Sequence, residues 1–500
     1  MSLPGLPVTP ASPVPPGSRR LRMTPRAESG EARPWYREKG PVVYIYIMWA
    51  VLLTDPHRWI AALGIPFFHR VLTLLLIPVI GLVLLRLPVL LSNKGNKLWY
   101  GPLLSLVLVT IIGVPVAVNH GVAQIAARLL VLYYIFGLAV FMYIDTARRA
   151  AVLVTILLGQ YIWWAIHANV RGVVPWHPDL ANSDGFGPLA LLGLTTSYFW
   201  SKAARTKGMR RLGLGLALWS IIGIVAAFAR GVMLAMVLVA GMMWVRSPKK
   251  GRMTLAILGG LVMIVIGAQF IVPTIETGEE YLDRDRPHGG IAGLWTEFMS
   301  SFSEGSSEGT GNDRWELWKA ALIVFKEHPI IGAGAQNVGI AASEIVQVGE
   351  IGSIYAENPA RLWGRQLHNI YFQILSEFGL LGSAAYLWIL IDFWIKNKRL
   401  MRKDRCAVWD ATSGGQWNLY YISLGLELTM VAFLATGFFY NTLYLFYSYA
   451  LIYLNRTLYL NTTPPPQPPR VRGAPATVGR MAPGPQPGVL QPAPFVQERP

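Results

Sequence analysis

Twelve long runs of apolar residues, separated by short polar connections, fill most of this sequence. A helix needs ~20 apolar residues to cross the hydrocarbon core of a bilayer, fewer when its ends snorkel. The runs cover 41–54, 71–91, 98–118, 122–143, 150–170, 186–200, 212–228, 231–246, 253–273, 369–395, 418–438 and 442–460. The first is the shortest, and the apolar piece 59–68 reads as an interfacial or re-entrant segment. Backbone groups in hydrocarbon must be paired within their own segment. The predicted fold is therefore an all-α integral membrane protein of about 12 transmembrane helices. Composition agrees: 53% of the 500 residues are hydrophobic and only 14% are charged, against roughly a quarter charged in soluble chains. The single cysteine, Cys406, excludes an intramolecular disulfide framework and a cysteine-cluster metal site.

Charge placement orients the bundle. With the N-terminus in the cytoplasm, the inner short loops 92–97, 144–149, 201–211, 246–252 and 396–405 hold 19 Lys and Arg. The outer short loops 55–70, 119–121, 171–185, 228–231 and 439–441 hold 4. Basic residues favour the cytoplasmic side, so this asymmetry also accounts for most of the formal charge of +17. Nucleic-acid binding would need a basic groove interleaved with aromatics, and none is present. Residues 1–40 carry Arg19, Arg20, Arg22, Arg26, Arg33, Arg37 and Lys39 with no apolar stretch behind the first charges. They read as a basic cytoplasmic tail without a cleavable signal peptide. Residues 461–500 are rich in Pro, Gly and Gln, and such tracts bury too little apolar surface to fold. Both tails are predicted to be disordered. The organisation is then a tail (1–40), nine spans (41–273), one large outer loop (274–368), three spans (369–460) and a second cytoplasmic tail (461–500).

The outer loop is 95 residues long and holds 14 of the 27 acidic residues against seven basic ones. Loops of this length are uncommon unless they do something. Within it, Trp315, Trp318, Leu322 and Phe325 fall on one face of a helix running from Asp313 to Pro329. Asp313 with Glu316 predicts a capping box, and Pro329 with the following glycines stops the helix. All eight histidines, at 57, 69, 120, 167, 177, 288, 328 and 368, fall outside or at the outer ends of spans. Acid–base chemistry is therefore expected on the outer face.

Three residues stand out there. His368 ends the loop and opens a span, where the helix dipole disfavours the imidazolium and leaves a neutral ring able to accept a proton. A helix-capping interfacial histidine is the competing reading. Arg230 sits in the minimal outer turn 227–231, against the positive-inside bias, so its charge needs a reason. A guanidinium suits bidentate contact with phosphate, whereas snorkelling to headgroups is the competing reading. Arg314, on the first turn of the loop helix, is weak evidence alone. Glu427, Gln160 and Arg128 lie within spans without an assigned role. No HExxH motif, acidic metal cluster or GxxxxGK[ST] phosphate loop occurs, which disfavours metal catalysis.

Four pieces in order resemble the O-antigen ligase family of bacterial envelope glycosyltransferases. They are Arg230-Gly231 between two spans, Asn-Asp-Arg-Trp-Glu-Leu-Trp (312–318), His328-Pro-Ile-Ile-Gly-Ala-Gly334, and His368-Asn369 followed by Glu377-Phe-Gly-Leu-Leu-Gly382. They cover roughly residues 212–395. An alanine, Ala229, stands where the commoner pattern has serine before Arg-Gly. The resemblance implies a glycosyltransferase in the bacterial inner membrane, with loop 274–368 periplasmic and both termini cytoplasmic. It would move a glycan from undecaprenyl diphosphate to a sugar hydroxyl on lipid A–core, by inverting displacement and without a metal or other cofactor. O-antigen and exopolysaccharide polymerases share the pattern, and a secondary anion transporter is the reading from a different class. Transporters usually show internal repeats, and none is visible here. Carried over, His368 is the base or acceptor-orienting group, and Arg230 and Arg314 hold the leaving diphosphate. Asn369, Arg365 and Arg361 are candidate substrate contacts. The expected partners are the lipid-linked donor, a saccharide acceptor and membrane lipids.

Overall fold

A computed structural model describes residues 35–63, 71–92, 97–168, 172–227, 229–247, 249–275, 310–352 and 355–463. The tails, residues 276–309 and residues 64–70, the latter including the second half of 59–68, therefore lie outside the described residues. The elements in chain order are α1 (Trp35–Thr54), α2 (Pro56–Ala62), α3 (Val71–Leu85), α4 (Leu87–Leu91), α5 (Gly101–Gly113), α6 (His120–Tyr143), α7 (Ala147–His167), α8 (Ser183–Ala203) and α9 (Lys207–Ala227). They continue with α10 (Arg230–Arg246), α11 (Lys250–Ile275), α12 (Thr310–Glu327), α13 (Val338–Ile345), α14 (Ile370–Leu400), α15 (Lys403–Thr412), α16 (Leu419–Thr436) and α17 (Phe446–Asn461). Among the described residues there is no strand, only one isolated bridge between Ala204 and Trp417.

Each of the twelve apolar runs coincides with helix. Among the described residues, five helices (α6, α7, α9, α14 and α16) are long and apolar enough to cross a membrane. The run 71–91 is broken at Arg86 into α3 and α4. Rather than reaching out to solvent, the Arg86 guanidinium donates to the Met142 carbonyl (2.7 Å) and lies 4.1 Å over the Tyr143 ring. Leu85, Ile112, Leu255, Val262 and Leu387 are among many large apolar side chains facing outward. A water-soluble surface rarely shows that much exposed apolar area. The three residues left without a role also find places. Glu427 pairs with Arg246 from the last turn of α10. Gln160 is buried and donates back to Leu157 of its own helix (3.1 Å), while Arg128 is exposed on α6.

The described residues hold two cores. The larger runs through the bundle; the smaller lies beneath residues 310–367 and joins Leu317, Ala320, Ala321 and Val324 of α12 to Val338, Ala341 and Ala342 of α13. The helix expected over 313–329 to lie against the membrane or the bundle is present, and one expectation about it, the capping box, is corrected. The buried face of α12 is Leu317, Ala320, Ala321 and Val324, whereas Trp315 and Leu322 face outward (55% and 38% exposed). Small residues allow close approach to α13, so they, and not the large aromatics, took the core side. The capping box is absent: α12 begins at Thr310, so Asp313 already lies in its first turn. Glu316 is buried, accepts the Gly352 amide (2.7 Å) and pairs with Lys319 (2.7 Å). It fastens the following loop instead of capping the helix.

The segment after α12 is built into a break in α14. Gly379 has φ 61° and ψ −158°, a region open essentially to glycine alone. In a regular helix the amides of Leu380 and Leu381 would donate to the carbonyls of Ser376 and Glu377. Instead they donate to Pro329 (2.9 Å) and Ile330 (3.1 Å), and the Ser376 and Glu377 carbonyls accept from Ala333 (2.9 Å) and Gly334 (3.0 Å). These four backbone groups are thus re-paired by residues 329–334, as buried non-helical backbone requires. A Cβ at Gly332 would lie 2.3 Å from the Glu377 carbonyl carbon, which explains a glycine there. The third and fourth pieces of the sequence pattern are therefore two halves of one lock.

Candidate functional site

His368 sits just before Asn369, the N-cap of α14, with φ 51°, a left-handed conformation uncommon outside glycine. Its neighbours on both sides are held. Trp318 of α12 donates its Nε1–H to the Leu367 carbonyl (3.0 Å) and stacks on Phe372 (centroids 5.4 Å, 22°). After His368, the Asn369 side chain caps α14 by accepting from the Tyr371 and Phe372 amides (2.9 and 3.1 Å). The Asn369 amide donates to Asn441 Oδ1 (3.1 Å), its Nδ2 donates to the Phe438 carbonyl (3.1 Å), and the Ile370 amide donates to the Gly437 carbonyl (2.7 Å). An unfavourable backbone conformation persists only where its surroundings over-determine it, and here five hydrogen bonds to the flanking residues do so.

The link between α16 and α17, Gly437-Phe-Phe-Tyr-Asn441, is the hub of this arrangement. Phe438 packs edge-on against Trp318 (5.4 Å). Phe439 covers Gly231 so closely that a Cβ on that glycine would lie 2.4 Å from the ring. The Tyr440 ring is 6.5 Å from the His368 imidazole, and its hydroxyl donates to the Asp179 carbonyl (2.8 Å). Asn441 and Gly437 bind the start of α14, as above. One pentapeptide thus joins the first turn of α10, the loop helix α12 and His368. A small cavity beside it is lined by Pro188, Ala229, Gly231, Thr436, Phe439 and Tyr440.

The residues read from the sequence fall as follows. His368 is half-buried at the hub. Arg230 is the first residue of α10, with Ala229 as its N-cap, so its backbone adjoins the same cavity; its side chain lies outside the described residues. Arg314 is half-buried on α12, one turn before Trp318 and hence on the same face. Asn369, expected as a substrate contact, is fully buried and its amide is engaged with backbone, so it holds the turn. Arg361, on the short 3-10 turn Pro359–Leu362, and Arg365 are both exposed. Arg365 lies beside Tyr355, whose phenol burial pushes up while this guanidinium opposes the shift.

Sequence reasoning missed residues 437–441: it placed 437 and 438 at the end of a span and read 439–441 only as a short outer loop with no basic residue. It also gave Glu377 no role. That carboxylate, fully buried, accepts from Gln373 (3.0 Å) and from the Tyr444 hydroxyl (2.5 Å), and so ties α14 to the segment leading into α17. The glutamate within the fourth piece was the available signal. Among the described residues, no group of three or more His, Cys, Asp or Glu could hold a metal ion.

No curated protein matches the chain. Residues 215–387 match the family model described as O-Antigen ligase, a segment that includes Arg230, Arg314, the lock between 329–334 and 377–381, and His368. That segment, about a third of the chain, is thus similar to the O-antigen ligase family, and together with the apolar helices it points to a multi-pass membrane protein.

Proposed function

We propose that this protein is an O-antigen ligase acting in the bacterial inner membrane, moving a glycan from undecaprenyl diphosphate to a sugar hydroxyl on lipid A–core at the periplasmic face. The observation that carries the reading is the meeting of His368, the first turn of α10 and α12 on one hub. In the reaction the acceptor oxygen attacks the anomeric carbon, and the bond from that carbon to the diphosphate oxygen breaks with inversion. His368 takes the proton from the attacking hydroxyl. Arg230 and Arg314 stabilise charge on the departing diphosphate, the role a metal plays in other phosphate-leaving reactions. Arg361 and Arg365, exposed before His368, add contacts to the glycan or its phosphate. A lipid donor needs a site open to the bilayer, which a groove between helices of a membrane bundle would supply.

Deletion of the gene followed by electrophoresis of envelope polysaccharide tests this directly. Accumulated lipid-linked polymer with no attached ladder is the expected result. Single repeat units would assign the protein to the polymerases instead, and an unchanged profile would favour transport. His368→Ala and Arg230→Ala are each expected to abolish attachment while the protein remains in the membrane. A normal ladder for both would remove these residues from the site.

A further inference from the structure

The hub is itself held from the other side, by residues outside the family match. Tyr440 donates to the backbone carbonyl of Asp179 (2.8 Å), and the Asp179 carboxylate receives Arg58 Nη1 (2.7 Å) from α2. Arg58 also approaches Asp55 (3.8 Å), which stands at φ 43° as the N-cap of α2. Asp55 in turn accepts from His177 Nε2 (3.1 Å). The Asp179 amide donates to His177 Nδ1 (3.2 Å), so the other ring nitrogen carries the proton given to Asp55. His177 is buried and packs at a steep angle against both Trp164 and Trp176 (5.7 and 5.6 Å), whose rings stack on each other (6.0 Å). Asp55, Arg58, His177 and Asp179 therefore form a closed circuit that fixes where the Asp179 carbonyl stands. That carbonyl is what the Tyr440 hydroxyl reads.

We infer that Arg58 and Asp179 are positioning residues for His368, acting through Tyr440. A circuit of this kind is an expensive way to hold a loop that has no other task. Two partly exposed charges bring little stability as a surface pair, and Asp55 adopts a conformation that costs free energy. Its geometric effect is specific: it sets the height of Tyr440, hence the register of 437–441, hence the two amides after His368. Residues before the matching segment in this way adjust a histidine inside it. The inference rests on the proposed role of His368 only for its functional meaning; the geometric link stands apart from it.

The test uses the full chain in lipid nanodiscs and diethyl pyrocarbonate as a probe of the imidazole. Modification of the peptide containing His368 is followed by mass spectrometry, beside the thermal melting of each variant. Tyr440→Phe and Arg58→Asp are each expected to change the His368 modification rate by at least about fivefold, as loss of one or two hydrogen bonds predicts. Melting of Tyr440→Phe should be nearly unaltered, whereas Arg58→Asp sets a third carboxylate beside Asp55 and Asp179 and lowers it. Combining Arg58→Asp with Asp179→Arg should return the rate toward the parent value, which a merely unfolded loop would not do. Rates within about twofold of the parent in both single variants, or a double variant no closer to the parent than Arg58→Asp alone, would overturn the inference. If His368→Ala leaves polysaccharide attachment intact while the rates respond as expected, the function falls and the positioning stands.

Discussion

At the scale of single residues, the molecule spends unusual backbone conformations where a neighbouring chain compensates them. Gly379 is the clearest instance, because its conformation admits essentially no side chain and a Cβ would lie 2.5 Å from the Ile330 carbonyl carbon. Gly379→Ala is therefore expected to cost more than ~2 kcal/mol and to release residues 329–334 from α14. Thermal melting in detergent, with hydrogen exchange at Leu380 and Leu381, measures both effects. Cys406 offers a second residue-scale test. Burial first, and then Asp410 and Asp404, push its thiol above the usual 9.0. The thiolate is the reactive form, so alkylation of Cys406 should be slow at neutral pH and still accelerating above pH 9. A rate that levels off below pH 8 would contradict the burial seen here.

Among the elements, α12 illustrates what the sequence could and could not disclose. Its existence and its end at Pro329 were legible, because apolar spacing and a proline breaker act locally. Its buried face was not, since Trp315 and Leu322 look like core residues until the small side chains of Ala320 and Ala321 are seen against α13. Glu316 was misread for a related reason: a carboxylate near a helix start has two classes of amide it can accept from, and only tertiary structure says which. That carboxylate now carries a prediction. Glu316→Ala removes the acceptor for Gly352 and the partner of Lys319. Losing a buried acceptor costs ~1–3 kcal/mol locally. Limited proteolysis should then cut within 346–352 about tenfold faster while the bundle stays intact.

Considering the whole molecule, the apolar runs set the architecture because a bilayer leaves so few options for backbone pairing. The site was legible only in its outline. His368 and Arg230 were visible as charges and rings in places that need explaining. The pentapeptide 437–441 was not, because it contributes mainly backbone carbonyls and ring faces, and those have no sequence signature. Nor does the family match reach it, since the matching segment ends at residue 387. It follows that residues 215–387 do not make a complete unit. A chain ending after residue 400 loses the acceptors for Asn369 and Ile370. Such a chain should attach no glycan even when it inserts into the membrane, and supplying residues 401–463 as a separate polypeptide should recover part of the attachment. Electrophoresis of the polysaccharide, with quantification of both fragments in the membrane, measures the outcome.

The pentapeptide has one more implication, for how the gene can drift. Because Gly437 and Phe438 meet the start of α14 through backbone carbonyls, exchanging the Phe438 side chain keeps those acceptors in place, whereas the Tyr440 hydroxyl carries the link to Asp179. Inserting or deleting one codon would instead hand every partner the wrong neighbour simultaneously. This stretch should accordingly accept altered letters far more readily than an altered length.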